Sequence, residues 1–97
     1  MNAREHLLVC LAEEAAEVVQ AVTKALRFGL HDSYPGYAGG LTNEEAVYAE
    51  LNDLLAVVEM LEDDGSLTPF MGVQSRGQKQ AKVRKFMEHA RRNGALE

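Results

Sequence analysis

The chain lacks several features that stabilise or anchor small proteins. Cys10 is the only cysteine in 97 residues, which excludes an intrachain disulfide and a multi-cysteine metal site. Tryptophan is absent and only two prolines occur, whereas Ala, Leu, Val and Glu are frequent, a composition that favours helices over strands. No apolar run approaches the ~18 residues of a membrane span, and the N-terminus does not resemble a signal peptide. We expect a single soluble, cytoplasmic domain covering residues 1–97.

Basic residues are scarce in the first three quarters of the chain. Residues 1–73 contain 13 acidic and three basic side chains, a balance of −10, whereas residues 74–97 contain seven basic and two acidic ones, a balance of +5. A basic tail can indicate nucleic-acid binding. The acidic body would repel a polyanion, however, so we expect a small anion or an acidic neighbour rather than a nucleic acid.

Apolar residues at spacings of three and four predict helices at about 3–28, 43–64 and 78–93, joined by loops at 29–42 and 65–77. Gly29 and Gly65 are expected to end the first two helices, and Thr42 or Asn43 to cap the second. The predicted fold is therefore all-α, a helical bundle of two long helices plus a shorter C-terminal helix. Because three such helices do not close a large core, we expect homo-oligomerisation to complete the bundle.

Each long helix carries a pair of carboxylates three residues apart beside its apolar stripe. The stretch "EEAAE" supplies Glu14 and Glu17, with Glu13 and Glu17 as an alternative pair, and "ELND" supplies Glu50 and Asp53. If the helices pack antiparallel, the pairs converge into a cluster of four or five carboxylates. The alternative is a solvated surface, which fits Glu13 and Glu14 better than Asp53, since aspartate is a poor interior helix residue and its same-side neighbours are apolar.

Such a cluster requires compensation. At an effective dielectric of about 20, two charges ~5 Å apart repel by roughly 3 kcal/mol. Protonation, basic partners or a bound cation relieve the repulsion, and ligands that are all oxygen suit Mg²⁺ or Mn²⁺. A ferritin-like di-iron site would need Glu-x-x-His pairs and a zinc site would need a His/Cys cluster, and the sequence has neither.

Basic residues lie where they can hold phosphates beside a metal. Lys24 is seven residues after Glu17, two turns along the same helix face, and Arg27 is one turn further. The third helix offers more positive charge, at Lys79, Lys82 and Lys85. An all-oxygen magnesium site with bases nearby is typical of enzymes that act on phosphate-bearing substrates, although each base alone is equally consistent with a solvated side chain.

The order "EEAAE" then "ELNDLL" resembles the EExxE…ExxD signature of the MazG-like, all-α nucleoside triphosphate pyrophosphohydrolases, relatives of the dimeric dUTPases and the phosphoribosyl-ATP pyrophosphatases. The likeness covers most of the chain. It implies a homodimer or homotetramer that hydrolyses the α–β phosphoanhydride of nucleoside triphosphates with Mg²⁺, or with Mn²⁺ as a substitute. It also implies Glu14, Glu17, Glu50 and Asp53 as metal ligands, with Glu13 beside them and one of the glutamates acting on the attacking water.

Two departures from that signature affect the expected substrate. Between Glu17 and Glu50 lie 32 residues, a long gap, so the loop at 29–42 is a candidate insertion beside the site. Where many relatives have glycine before the aspartate, this chain has Asn52, a candidate for hydrogen bonding to a base or ribose. Candidates for stacking on a base are Phe28, Tyr34, Tyr37, Tyr48 and Phe70.

The alternative function is a non-catalytic helical module that binds nucleotides or oligomerises.

Overall fold

A computed structural model describes residues 1–33 and 40–97 of the chain. It contains three helices, α1 (Ala3–Phe28), α2 (Asn43–Asp63) and α3 (Val73–Arg92), and no strand among the described residues. The all-α prediction is confirmed. None of the described helices is both long and apolar enough to cross a membrane.

Both ends of α1 are capped, and Gly29 ends the helix as predicted. Asn2 is the N-cap, and its Oδ1 accepts a hydrogen bond of 2.8 Å from Glu5 N, which satisfies one of the free amides of the first turn. At the other end, Gly29 has a φ of 97° and donates its backbone N–H to Ala25 O at 2.8 Å. A side chain is strained at this φ, so glycine is the residue that lets the chain leave the helix here.

A capping box begins α2. Thr42 Oγ1 accepts a hydrogen bond of 3.2 Å from Glu45 N, and Glu45 Oε1 accepts one of 3.0 Å from Thr42 N. The box satisfies two backbone donors reciprocally. It also lowers the pKa of the Glu45 carboxyl, through the hydrogen bonds from the backbone and side chain of Thr42.

Hydrogen bonds at both ends fix α1 and α2 as an antiparallel hairpin. Asn43, fully buried, donates its side-chain N–H to Gly29 O at 2.8 Å, which joins the start of α2 to the end of α1. At the opposite end, Arg4 Nε donates to Ser66 Oγ at 3.2 Å. Between these ends the interface buries small residues and one leucine, at Ala21, Ala25, Ala46 and Leu61.

The predicted start of the third helix is wrong by five residues. The sequence predicts a start at Gln78, after a loop at 65–77, whereas α3 begins at Val73 with Gly72 as its N-cap. The bond from Arg76 N to Gly72 O, 3.1 Å, closes the first turn of α3, and the helix then continues through Gly77 to Arg92. A single glycine costs a helix only about 1 kcal/mol, so helix-compatible neighbours carry the turn past it. The connection after α2 is correspondingly shorter than the predicted loop 65–77.

One chain does not form a closed bundle. Of the three described helices, α3 packs against neither α1 nor α2. The radius of gyration is 16.9 Å, against about 12.5 Å for a compact domain of this length. The accessible surface is 7604 Å², against about 5,500 Å² for a compact monomer, an excess of about 2,100 Å². The predicted homo-oligomer remains a prediction, but the surface that it would cover is present.

Candidate metal centre

Three carboxylates from the two helices of the hairpin meet at one point. Glu14 of α1 and Glu50 and Asp53 of α2 each place a carboxylate oxygen within 4.8 Å of the other two. Glu14 and Glu50 are half-buried between the helices, whereas Asp53 is exposed at the edge. The hairpin therefore brings Glu14 of the first predicted pair together with both members of the second pair.

The positions of Glu14 and Glu50 in the buried stripes explain their placement. Glu14 lies seven residues before buried Ala21, two turns along the same face of α1, and Glu50 lies four residues after buried Ala46. The small alanines let the helices approach closely, so both glutamates are drawn into the interface.

Two oxygens of the cluster are buried without a partner. Glu14 Oε2 and Glu50 Oε2 are shut off from solvent, and neither has a hydrogen-bond partner among the described residues. A buried carboxylate oxygen without a partner is costly, so each such atom in a folded protein requires an explanation. A cation between the helices would provide one, because it would accept both oxygens as ligands.

The cluster also shifts the protonation of its members. Burial is the largest cause that raises the pKa of Glu14, followed by the charge of Glu17 and a hydrogen bond to it, and then by the charge of Asp53. Burial likewise raises the pKa of Glu50 most, followed by its hydrogen bond to Glu17 and the charges of Glu17 and Asp53. Glu17 therefore lies close enough to influence both glutamates, while the group whose oxygens lie within 4.8 Å of one another consists of Glu14, Glu50 and Asp53.

The hairpin helices also carry the other predicted site residues. Glu13 is exposed and contributes the smallest of the repulsions on Glu14. Lys24 is half-buried, two turns beyond Glu17 on α1. Arg27 lies over the ring of Phe28, 4.9 Å from its centroid, and Asn52 is exposed on α2.

The predicted phosphate-binding residues of the third helix are not at the cluster in a single chain. Lys79, Lys82 and Lys85 lie on α3, which does not touch the hairpin. Lys82 instead places its ammonium group 5.8 Å from the centroid of the Phe86 ring. Of the stacking candidates, Tyr48 and Phe70 are exposed, and Tyr34 and Tyr37 lie outside the described residues.

In comparisons with known proteins, the chain matches no family model, no curated protein and no solved structure. The chemistry of the carboxylate cluster is therefore the basis for assigning a function.

Proposed function

We propose that the chain is a metal-dependent nucleotide pyrophosphohydrolase, which cleaves the α–β phosphoanhydride of (deoxy)nucleoside triphosphates into a nucleoside monophosphate and pyrophosphate. The observation that carries this proposal is the meeting of three carboxylates from α1 and α2, Glu14, Glu50 and Asp53. Two of them have buried oxygens without a hydrogen-bond partner among the described residues. The sequence signature described above supports the same reaction.

The residues of the cluster fit a divalent cation. Glu14, Glu17, Glu50 and Asp53 supply only oxygen ligands, the donor set preferred by Mg²⁺ and tolerated by Mn²⁺. A separation of 4.8 Å or less between oxygens of three of them suits ligands that share one hard cation. When bound, the cation would hold substrate phosphates and lower the pKa of a water molecule near the α-phosphorus.

The protein's own part in the reaction is to position the substrate and move a proton. A glutamate of "EEAAE" (Glu13, Glu14 or Glu17) accepts the proton of the attacking water as its oxygen bonds to the α-phosphorus. The bond from the α-phosphorus to the bridging oxygen breaks, and its electron pair leaves with pyrophosphate. Lys24 and Arg27, two and about three turns beyond Glu17 on α1, are the bases of the same chain that can neutralise the leaving group.

A homo-oligomer is part of the proposal. The excess surface of about 2,100 Å² per chain is larger than the ~800 Å² that each partner contributes to an interface of standard size. The exposed surface of the hairpin carries large apolar side chains from both helices. Among them are Leu26, which is 81% exposed, and Leu55, which is 56% exposed. A second copy would cover such residues.

Release of pyrophosphate from a panel of standard and deaminated triphosphates, assayed with Mg²⁺ and with Mn²⁺, tests the proposal. We expect Glu50→Gln to reduce the rate at least ~100-fold, since it removes one charged ligand while conserving shape. The matched control is Glu59→Gln, which neutralises an exposed carboxylate of the same helix and should retain wild-type activity. Absence of pyrophosphate release from the wild-type chain with every nucleotide would refute catalysis and favour a nucleotide-binding module.

A further inference from the structure

One face of helix α3 carries both apolar and basic residues, and it packs against neither α1 nor α2. Val83, Phe86 and Met87 recur at helical spacing, and their side chains are 42%, 59% and 38% exposed. Lys79, four residues before Val83, and Arg76, three residues earlier still, continue the same face towards the N-terminus of the helix. Among the described residues, neither Arg76 nor Lys79 forms an ion pair.

The hairpin has a complementary strip on the side of the carboxylate cluster. Ala49, Asp53, Ala56 and Met60 follow one another on α2 at spacings of four, three and four, and all four are exposed. The strip is apolar at both ends and acidic at Asp53, where it joins Glu14 and Glu50. Its two ends thus offer contact area for apolar side chains, and its centre attracts a base.

One register matches both strips. Seven residues separate Lys79 from Phe86 on α3, and seven separate Asp53 from Met60 on α2, about 10.5 Å along each axis. With the two helices parallel, Lys79 lies beside Asp53 when Phe86 lies on Met60. The opposite direction would place Phe86 near Ala46, which is already buried.

The chain's own α3 cannot reach this register. Leu67 N donates to Leu61 O at 3.1 Å, and Leu67 lines a cavity with Val58, so the connection is held at the far end of α2. The register places Val73 level with Val47, about 21 Å from Leu61 along the axis, before the path around the helix is added. Six residue steps from Leu67 to Val73 span at most about 21 Å when fully extended.

We propose that α3 of a second copy docks on this strip of α2 and supplies Lys79 and Arg76 to the carboxylate cluster in trans. Charge favours the pairing, since residues 1–73 carry −10 and residues 74–97 carry +5. The excess surface of about 2,100 Å² per chain is sufficient for an obligate interface. The docking does not depend on the proposed function, whereas the use of Lys79 and Arg76 on substrate phosphates rests on it.

Disulfide trapping between two full-length chains tests the docking without any assay of activity. In a Cys10→Ser background, Ala49→Cys in one chain and Ser75→Cys in a second, mass-tagged chain occupy facing positions of the register. After coexpression and mild oxidation, we expect the mixed disulfide to form at least tenfold more than with Gln74→Cys, which points away from the docking face.

Two outcomes would overturn the docking. The first is equal trapping at Ser75→Cys and Gln74→Cys. The second is a disulfide that forms within a chain carrying both Ala49→Cys and Ser75→Cys but not between chains. If trapping fails at every salt concentration while oligonucleotides bind α3 with a steep salt dependence, the helix binds nucleic acid instead.

Complementation tests the supply of bases in trans. Glu50→Gln and Lys79→Ala chains should each be inactive alone, whereas mixed oligomers contain sites built from one intact hairpin and one intact α3. We expect coexpression to restore about a quarter of wild-type pyrophosphate release. Mixed oligomers that form but stay inactive, with wild-type chains active, would overturn the trans supply and leave the proposed function standing. An inactive wild type with successful trapping would overturn the function and leave the docking standing.

Discussion

The substitution Glu50→Gln should change stability in opposite directions with and without a divalent cation. Glu50 is half-buried, with a carboxylate oxygen within 4.8 Å of those of Glu14 and Asp53. One of its oxygens has no hydrogen-bond partner in the part of the chain that the structure describes. Without a cation, its negative charge is repelled by its neighbours, so replacing it by a neutral amide of the same shape should stabilise the fold. With a cation, the same replacement removes a ligand.

The expected size follows from Coulomb's law. Two charges 4.8 Å apart repel by about 3.5 kcal/mol at an effective dielectric of ~20 and by about 0.9 kcal/mol in bulk water. Because Asp53 is exposed, solvent screens its repulsion and the lower figure is the better guide. We expect Glu50→Gln to raise the free energy of unfolding by about 1 kcal/mol at pH 7 without metal. For a chain of this length, that corresponds to a rise in Tm of about 4–8 °C.

The pH dependence has a definite sign. Burial and neighbouring carboxylates raise the pKa values of Glu50 and Glu14 above 4.5, so the folded chain binds more protons than the unfolded chain. The stability that protonated Glu14 and Glu50 contribute is complete below pH 4.5. It is lost as the pH rises through their raised pKa values in the folded chain. The wild-type Tm without metal should therefore fall from pH 4.5 towards neutrality more steeply than that of Glu50→Gln.

The assay is thermal unfolding monitored by circular dichroism at one protein concentration, with EDTA or with Mg²⁺. At a Mg²⁺ concentration of ten times Kd, the wild type should gain about 1.4 kcal/mol and Glu50→Gln markedly less. Glu59→Gln, an exposed neighbour on α2, should respond like the wild type. The reasoning is refuted if Glu50→Gln is less stable than wild type in EDTA, or if Mg²⁺ stabilises both chains equally.

Three further predictions concern the fold. Leu61→Ala should lower the free energy of unfolding by about 2–5 kcal/mol in urea titration, since this side chain is fully buried, whereas Leu55→Ala, at a 56% exposed position of α2, should cost much less. Thr42→Ala should cost about 1 kcal/mol at pH 7 by breaking the capping box. That cost should shrink below pH 4.5, because the lowered pKa of Glu45 contributes stability only while its carboxylate is charged; a cost independent of pH would contradict the box. Gly77→Ala should raise the free energy of unfolding by about 0.5–1 kcal/mol, because Gly77 lies inside α3 and no described atom lies within 4 Å of an added Cβ. A loss of helicity by circular dichroism would contradict a helix that passes through Gly77 and would favour the predicted start at Gln78.

Local signals in the sequence predict most of the secondary structure. The caps at Asn2 and Thr42 and the stop at Gly29 depend on neighbours within four residues, so α1 and α2 begin and end close to the predicted positions. The start of α3 is missed because glycine weakens a helix without forbidding one. Whether the chain passes helically through Gly77 depends on a small free-energy difference that composition does not resolve.

The sequence by itself determines that the protein is helical, and it places two acidic pairs beside apolar stripes. Only the tertiary structure decides which carboxylates meet, because the antiparallel hairpin and its small buried alanines draw Glu14 and Glu50 between the helices and leave Asp53 at the edge. It also separates the basic residues of α3 from those carboxylates within one chain, because α3 packs against neither helix of the hairpin. Helix formation depends on near neighbours, whereas the meeting of charges depends on packing between distant segments.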